Sequence, residues 1–230
     1  SLGGAIVESR FSHAYIIEGA EGTGKKLIAR LASASILCEN EACRPCEKCL
    51  SCRKVFSGVH SDVHFYEATK VDQIRDIKQG LYDSPNESDY KIYVFDHAEK
   101  MNVKAQNALL ISLEEPPKNV VFFLLATDAG ALLETIRSRA QILRTERLDR
   151  ETVFNHLKGL GTGLSDEMLE QIVVASCGSL GYAIDLTDTK KSDALFEQRK
   201  RALDFTCAVI KNDEESVSHL MSYSGMTRDD

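Results

Sequence analysis

The sequence predicts an α/β fold: a parallel β-sheet with helices on both faces, followed by a small helical domain. Three observations carry that expectation. Strand and helix signals alternate over roughly the first 147 residues. A glycine-rich loop separates the first strand from the first helix. No convincing strand follows Asp149.

The elements follow in order. Residues 14–17 form a short apolar strand, and residues 26–37 a helix after the glycine-rich stretch. Its Leu27, Ala29, Leu31, Ala32, Ala34 and Ile36 suit burial on more than one side. A cysteine-rich segment comes next, then a candidate strand at residues 63–66. Residues 71–81 place Val71, Ile74, Ile77 and Leu81 on one helical face. Residues 92–95 read as a strand, and residues 102–115 as a helix with Ala105, Ala108, Leu109 and Leu113 inward. Pro116 and Pro117 stop that helix, because a residue before proline avoids the helical region. Residues 120–126 lack polar alternation, as expected of a central parallel strand buried on both faces. A short helix at 132–138 and a short strand at 140–143 end the series. Helices are then expected at about 149–160, 165–177, 179–188 and 190–211. The expected domains are 1–147 (α/β), 148–188 (helical) and 189–230, the start of a further helical region.

Composition excludes several function classes. With 43% hydrophobic and 27% charged residues, the 230-residue chain is globular rather than disordered. Its net charge of −7 lacks the basic balance of a stand-alone nucleic-acid binder. The longest apolar run, residues 120–126, is far short of the ~20 residues of a membrane span. No basic stretch leads into an apolar segment, so no signal peptide and a cytoplasmic location are expected.

Between the first strand and helix, Gly19, Gly22, Gly24 and Lys25 match the phosphate-binding pattern G-x-x-x-x-G-K. Backbone N–H groups and the helix N-terminus favour phosphate there, and Lys25 would reach the terminal phosphates. The full pattern continues with Ser or Thr, whose hydroxyl holds Mg²⁺; here the next residue is Lys26. Asp96, at the end of an apolar strand, fits the second acidic element. The residue after it is His97 rather than the glutamate that would orient water, and Glu99 lies three positions on. Binding of ATP or ADP stays open, whereas hydrolysis is not expected.

Five of the seven cysteines fall within residues 38–52. Cys46, Cys49 and Cys52 are evenly spaced, and either Cys38 or Cys43 can supply a fourth thiolate. A closed four-cysteine site is the structural kind of zinc site and leaves no position for a catalytic water, and zinc is the expectation here; an iron–sulfur cluster, which also takes C-x2-C-x2-C, and unmetallated thiols are the alternatives. Isolated His13, His60 and His64 are expected on the surface or in strands. Arg44, Lys48, Arg53 and Lys54 are expected to be solvated.

Taken in order, these motifs resemble a known family. Ser12-His13-Ala14-Tyr15, the phosphate loop, and the cysteine insertion after its helix are similar to the AAA+ subunits of the bacterial DNA polymerase III clamp loader. So are Asn107-Ala108-Leu109-Leu110, Leu113-Glu114-Glu115-Pro116-Pro117, Phe123-Leu124-Leu125-Ala126-Thr127 and Ser138-Arg139. The resemblance covers residues 12 to about 185. It implies an AAA+ nucleotide-binding domain with a zinc module, a helical lid and the start of a C-terminal collar. Two branches share the motifs: the γ/τ ATPase, and δ′, whose nucleotide motifs have decayed. Lys26, His97 and Gly181, where the ATPase branch carries a sensor arginine, all imply the δ′ branch. The resemblance further implies that Arg139 is an arginine finger acting on a neighbouring subunit's ATP, with Arg137 its nearest rival. Thr127 matches the sensor-1 position. The implied partners are the γ/τ and δ subunits and, through the complex, the sliding clamp and primed DNA; no membrane is involved. An active γ/τ-type ATPase using Glu99, and a purely structural zinc-binding interaction module, are the competing expectations.

Overall fold

The computed structural model describes residues 11–67 and 71–188. Contacts divide the chain into two compact units, Ser1–Leu148 and Asp149–Asp230. The segment expected to begin a collar, 189–230, and the helix expected at 190–211 lie outside the described residues.

The first unit is built on five strands: β1 (Ala14–Glu18), β2 (Val63–Glu67), β3 (Lys91–Asp96), β4 (Val120–Ala126) and β5 (Gln141–Arg144). All pair in parallel in the order β2-β3-β4-β1-β5. The sheet core is apolar on both faces. Every residue of β3 and β4 is buried. Alternate side chains enter different cores, the geometry of a strand with period two. Ile16, Phe122, Leu124 and Phe95 join one cluster with α3 (Val71–Leu81), α4 (Val103–Glu114) and α5 (Glu134–Arg137). Tyr15, Ile17, Phe123 and Val94 join the other with α1 (Lys25–Ile36) and α2 (Leu50–Ser57). Two-sided burial is why β4 carries no polar residue.

Helix ends follow their caps. Asn102 accepts a hydrogen bond from Ala105 N at 2.9 Å and starts α4. In α1 the buried residues are Ala29, Ala32, Ser33, Ala34, Ser35 and Ile36, so the expected inward Leu27 is corrected: it is exposed. The inward face of α1 starts at Ile28 and Ala29, because the preceding residues serve the phosphate loop. Helix α2 was not expected from the sequence.

The second unit contains α6 (Arg150–Gly159), α7 (Asp166–Ser176) and α8 (Leu180–Asp185) around Val153, Leu157, Leu169, Ile172 and Ala183. Asp149, Ser165 and Ser179 cap these helices. No strand occurs in this unit among the described residues.

Candidate nucleotide and metal sites

The carboxyl ends of β1, β3 and β4 converge on the loop before α1, the usual ligand position of an open α/β sheet. Gly19 N donates to Ala126 O at 3.1 Å, tying the loop to β4. Gly24 caps α1 with φ 84°, a left-handed conformation that glycine adopts without cost. A side chain at Gly19 would meet Thr145 Oγ1 at 1.8 Å, so the loop and the end of β5 demand glycine there. Gly22 also has positive φ (73°). The Lys25 ammonium donates to Gly19 O at 2.6 Å and Ala20 O at 2.9 Å. Burial lowers its pKa, while Glu99, Asp96 and Glu21 oppose the shift.

At the end of β3, Asp96 is buried, its side chain 8% exposed. Lys26 Nζ lies 2.6 Å from Asp96 Oδ2, and His97 Nε2 lies 3.7 Å from the same oxygen. The residue standing where the hydroxyl would be therefore sends an ammonium onto the acidic element. His97 Nδ1 lies 3.5 Å from Glu99 Oε1, and Thr127 Oγ1 donates to that oxygen at 3.2 Å. The Thr127–Glu99 hydrogen bond and the Lys26–Asp96 pair thus lie on either side of the His97 ring. Glu67, at the end of β2, brings a carboxylate within 4.8 Å of Asp96 and His97 ligand atoms. Neither Glu67 nor the Lys26–Asp96 pair was legible in the sequence.

Arg139 follows α5. Its guanidinium pairs with Glu114 Oε1 of α4 at 2.9 Å and donates to Thr135 O at 3.0 Å. The Arg137 Nε is buried without a hydrogen-bond acceptor. In the helical unit, Gly181 lies exposed in the first turn of α8.

The sulfurs of Cys38, Cys46, Cys49 and Cys52 lie within 4.8 Å of one another, whereas Cys43 is exposed and outside the group. Cys38 follows the end of α1, Cys49 caps α2, and Cys52 sits in the first turn of α2. Cys49 N donates to Cys46 Sγ at 3.3 Å and Cys52 N to Cys49 Sγ at 3.4 Å. Backbone donors from Cys49 and Lys48 lower the Cys46 thiol pKa to about 6, and burial raises those of Cys38 and Cys52. A tetrahedron with metal–sulfur bonds of about 2.3 Å has edges of about 3.8 Å, so the four thiols can hold one metal ion with little movement. Cys38, Cys52 and Val55 are part of the core behind β1 and β4, which anchors the module to the sheet.

His60 corrects the surface expectation. It is buried, and its Nδ1 accepts from Asp62 N at 3.1 Å. Nε2 therefore carries the proton and donates to Ser51 Oγ at 3.1 Å. Lys54 is not merely solvated either, because it pairs with Glu87.

The sheet order, the phosphate loop and the helical unit define a P-loop protein of the AAA+ class. A family model described as "DNA polymerase III, delta subunit" matches residues 1–149. The delta' subunit of DNA polymerase III from Bacillus subtilis is 36% identical over 203 residues, 86% of this chain and 60% of that protein. The gamma subunit from Buchnera aphidicola subsp. Schizaphis graminum is 35% identical over 187 residues, 78% of this chain and 52% of that protein. The chain belongs to the family of DNA polymerase III clamp-loader subunits. It spans between about half and three fifths of the length of these two relatives. The Thermotoga maritima RuvB Holliday junction branch migration motor shares the fold, with TM-score 0.54 at 18% identity over 96% of this chain and 65% of that one.

Proposed function

We propose that the chain is a δ′-type subunit of the DNA polymerase III clamp loader. In this reading it does not hydrolyse ATP. It presents Arg139 to the ATP of a neighbouring γ/τ subunit, and with γ/τ and δ it helps load the sliding clamp onto primed DNA. Its workplace is the cytoplasm; no described helix is long and apolar enough to cross a membrane. The observation that carries the reading is the Lys26–Asp96 ion pair, which sets a protein cation against the acid that the ATPase branch uses for Mg²⁺. Comparable identity to delta' and gamma relatives makes these local residues, rather than overall similarity, the discriminating feature.

Steady-state hydrolysis of Mg-ATP by the purified chain, with and without primed DNA, tests this. The expected result is no turnover. Clear turnover abolished by Lys25→Ala would make the chain a γ/τ-type motor and overturn the reading.

The same reading gives the four-thiol module a structural Zn²⁺ on Cys38, Cys46, Cys49 and Cys52. Four thiolates close the coordination sphere, so the metal holds the segment between α1 and α2 and performs no chemistry. Metal analysis should find one zinc per chain in the wild type and in Cys43→Ser. The Cys46→Ser/Cys49→Ser double variant should lose it and melt at lower temperature. Equal zinc content in the double variant would remove the assignment.

A further inference from the structure

The nucleotide site keeps its phosphate-binding parts but lacks the loop hydroxyl of a magnesium site; Glu67, Asp96 and His97 gather at the strand ends, but the Lys26 ammonium sits against the Asp96 carboxylate. Mg²⁺ takes oxygen ligands at about 2.0–2.1 Å in near-octahedral geometry. Lys26 offers no lone pair in place of the missing hydroxyl. Its ammonium sits 2.6 Å from Asp96 Oδ2, on the oxygen a cation would approach, and like charge repels a dication there. Mg²⁺ is therefore disfavoured where Lys26 meets Asp96. The rest of the cradle remains: Gly24 in its left-handed conformation opens the twelve-residue helix α1, and Lys25 lies folded over the loop carbonyls. Its ammonium is held by two neutral acceptors, which an anionic phosphate would outcompete.

We propose that Lys26 takes the place of the divalent cation, so that this loop binds a nucleoside di- or triphosphate as the metal-free anion. The inference rests on the non-hydrolysing reading above. Lys25 and Lys26 supply the phosphate-facing charge that a lysine and a metal share elsewhere. Asp96 holds Lys26 in position at the end of β3. The ligand class is the uncomplexed nucleotide.

Titration of the purified chain with a fluorescent ADP, in excess EDTA and again in Mg²⁺, with unlabelled ATP as competitor, tests this. The wild type should bind equally well in EDTA and in Mg²⁺, within about twofold. Lys26→Thr restores the hydroxyl and frees Asp96; it should bind about tenfold more tightly in Mg²⁺ than in EDTA. Lys25→Ala should lose binding in both buffers, which locates the ligand at this loop. Wild-type binding that requires Mg²⁺, or no binding in either buffer, overturns the inference and leaves the non-hydrolysing subunit standing. Turnover of Mg-ATP overturns the subunit reading instead, and the two assays separate those failures. Because the wild-type titration alone decides, a Lys26→Thr variant that failed to fold would not rescue the idea.

Discussion

Asp62 and Glu87 show how single carboxylates hold the edge of the first unit. Asp62 is fully buried, and burial alone would raise its pKa. Donors from Asn86 N at 2.6 Å, Glu87 N at 2.9 Å and Ser88 N at 3.1 Å outweigh that and pull it below the ordinary value. Glu87 pairs with Lys54 of α2 and accepts from Ser61 N at 3.0 Å and Ser61 Oγ at 2.8 Å, which together lower its pKa to about 2. These contacts link the cysteine-bearing helix to the start of β2. A depressed carboxylate pKa means that the unfolded chain binds more protons, so the stabilisation is full above the ordinary value of 4.5 and disappears as pH falls towards about 2. Glu87→Gln should therefore lower the melting temperature at neutral pH, and the gap from wild type should close between about pH 4.5 and 2. A gap that stays constant over that range would show that the ionised carboxylate is not responsible. None of this was legible in the sequence: Asp62 and the loop that donates to it are more than 20 residues apart, and only folding desolvates them together.

Among the elements, the junction of β1, the phosphate loop and β5 leaves no room for a side chain at Gly19. Thr145 N donates to Glu18 O at 2.8 Å, and its hydroxyl lies 2.8 Å from Thr23 Oγ1. Gly19 lies beneath that hydroxyl. Gly19→Ala should displace Thr145 and cost about 1–3 kcal/mol in denaturant unfolding. An unchanged midpoint would mean that the seam between loop and β5 yields freely. Strong local signals gave several elements directly. Helix α3 has the expected ends, set by its spacing of Ile74, Ile77 and Leu81, and β4 has the expected bounds because only a doubly buried strand is apolar throughout. Helix α2 was hidden. Its eight residues LSCRKVFS are short for a helix, and the inward side mixes Ser51 and Cys52 with Val55 and Phe56. Its start depends on Cys49 as a cap, whose sulfur accepts from Cys52 N. A thiol cap is a weak local signal, because cysteine is not among the preferred capping residues.

At the scale of the whole molecule, Arg139 has contacts within its own chain and a proposed task outside it. The Glu114 pair and the Thr135 carbonyl hold the guanidinium beside the end of α5. Stabilising charge on a transferring phosphoryl group makes such a finger worth about 10³–10⁵ in rate. In a reconstituted clamp loader, Arg139→Ala should leave assembly intact and reduce hydrolysis at the one adjoining ATP site by about 10³ or more, seen as a partial loss of the complex's turnover. Arg137→Ala should leave turnover near wild type, provided the subunit still assembles. Unchanged turnover with Arg139→Ala would remove the finger assignment.

The sequence by itself determined the α/β alternation, the phosphate loop, the helical character after Asp149 and the concentration of thiols after the first helix. These are local properties: periodicity, caps, glycine positions and close spacing act within a few residues. The tertiary structure decided what depends on distance along the chain. It inserted β4 between β3 and β1, a choice that no single strand encodes. It gathered Cys38 rather than Cys43 with the three evenly spaced thiols, because the end of α1 is packed against α2 in one core. It also brought Lys26 onto Asp96, two residues that meet because α1 begins and β3 ends at the same edge of a parallel sheet.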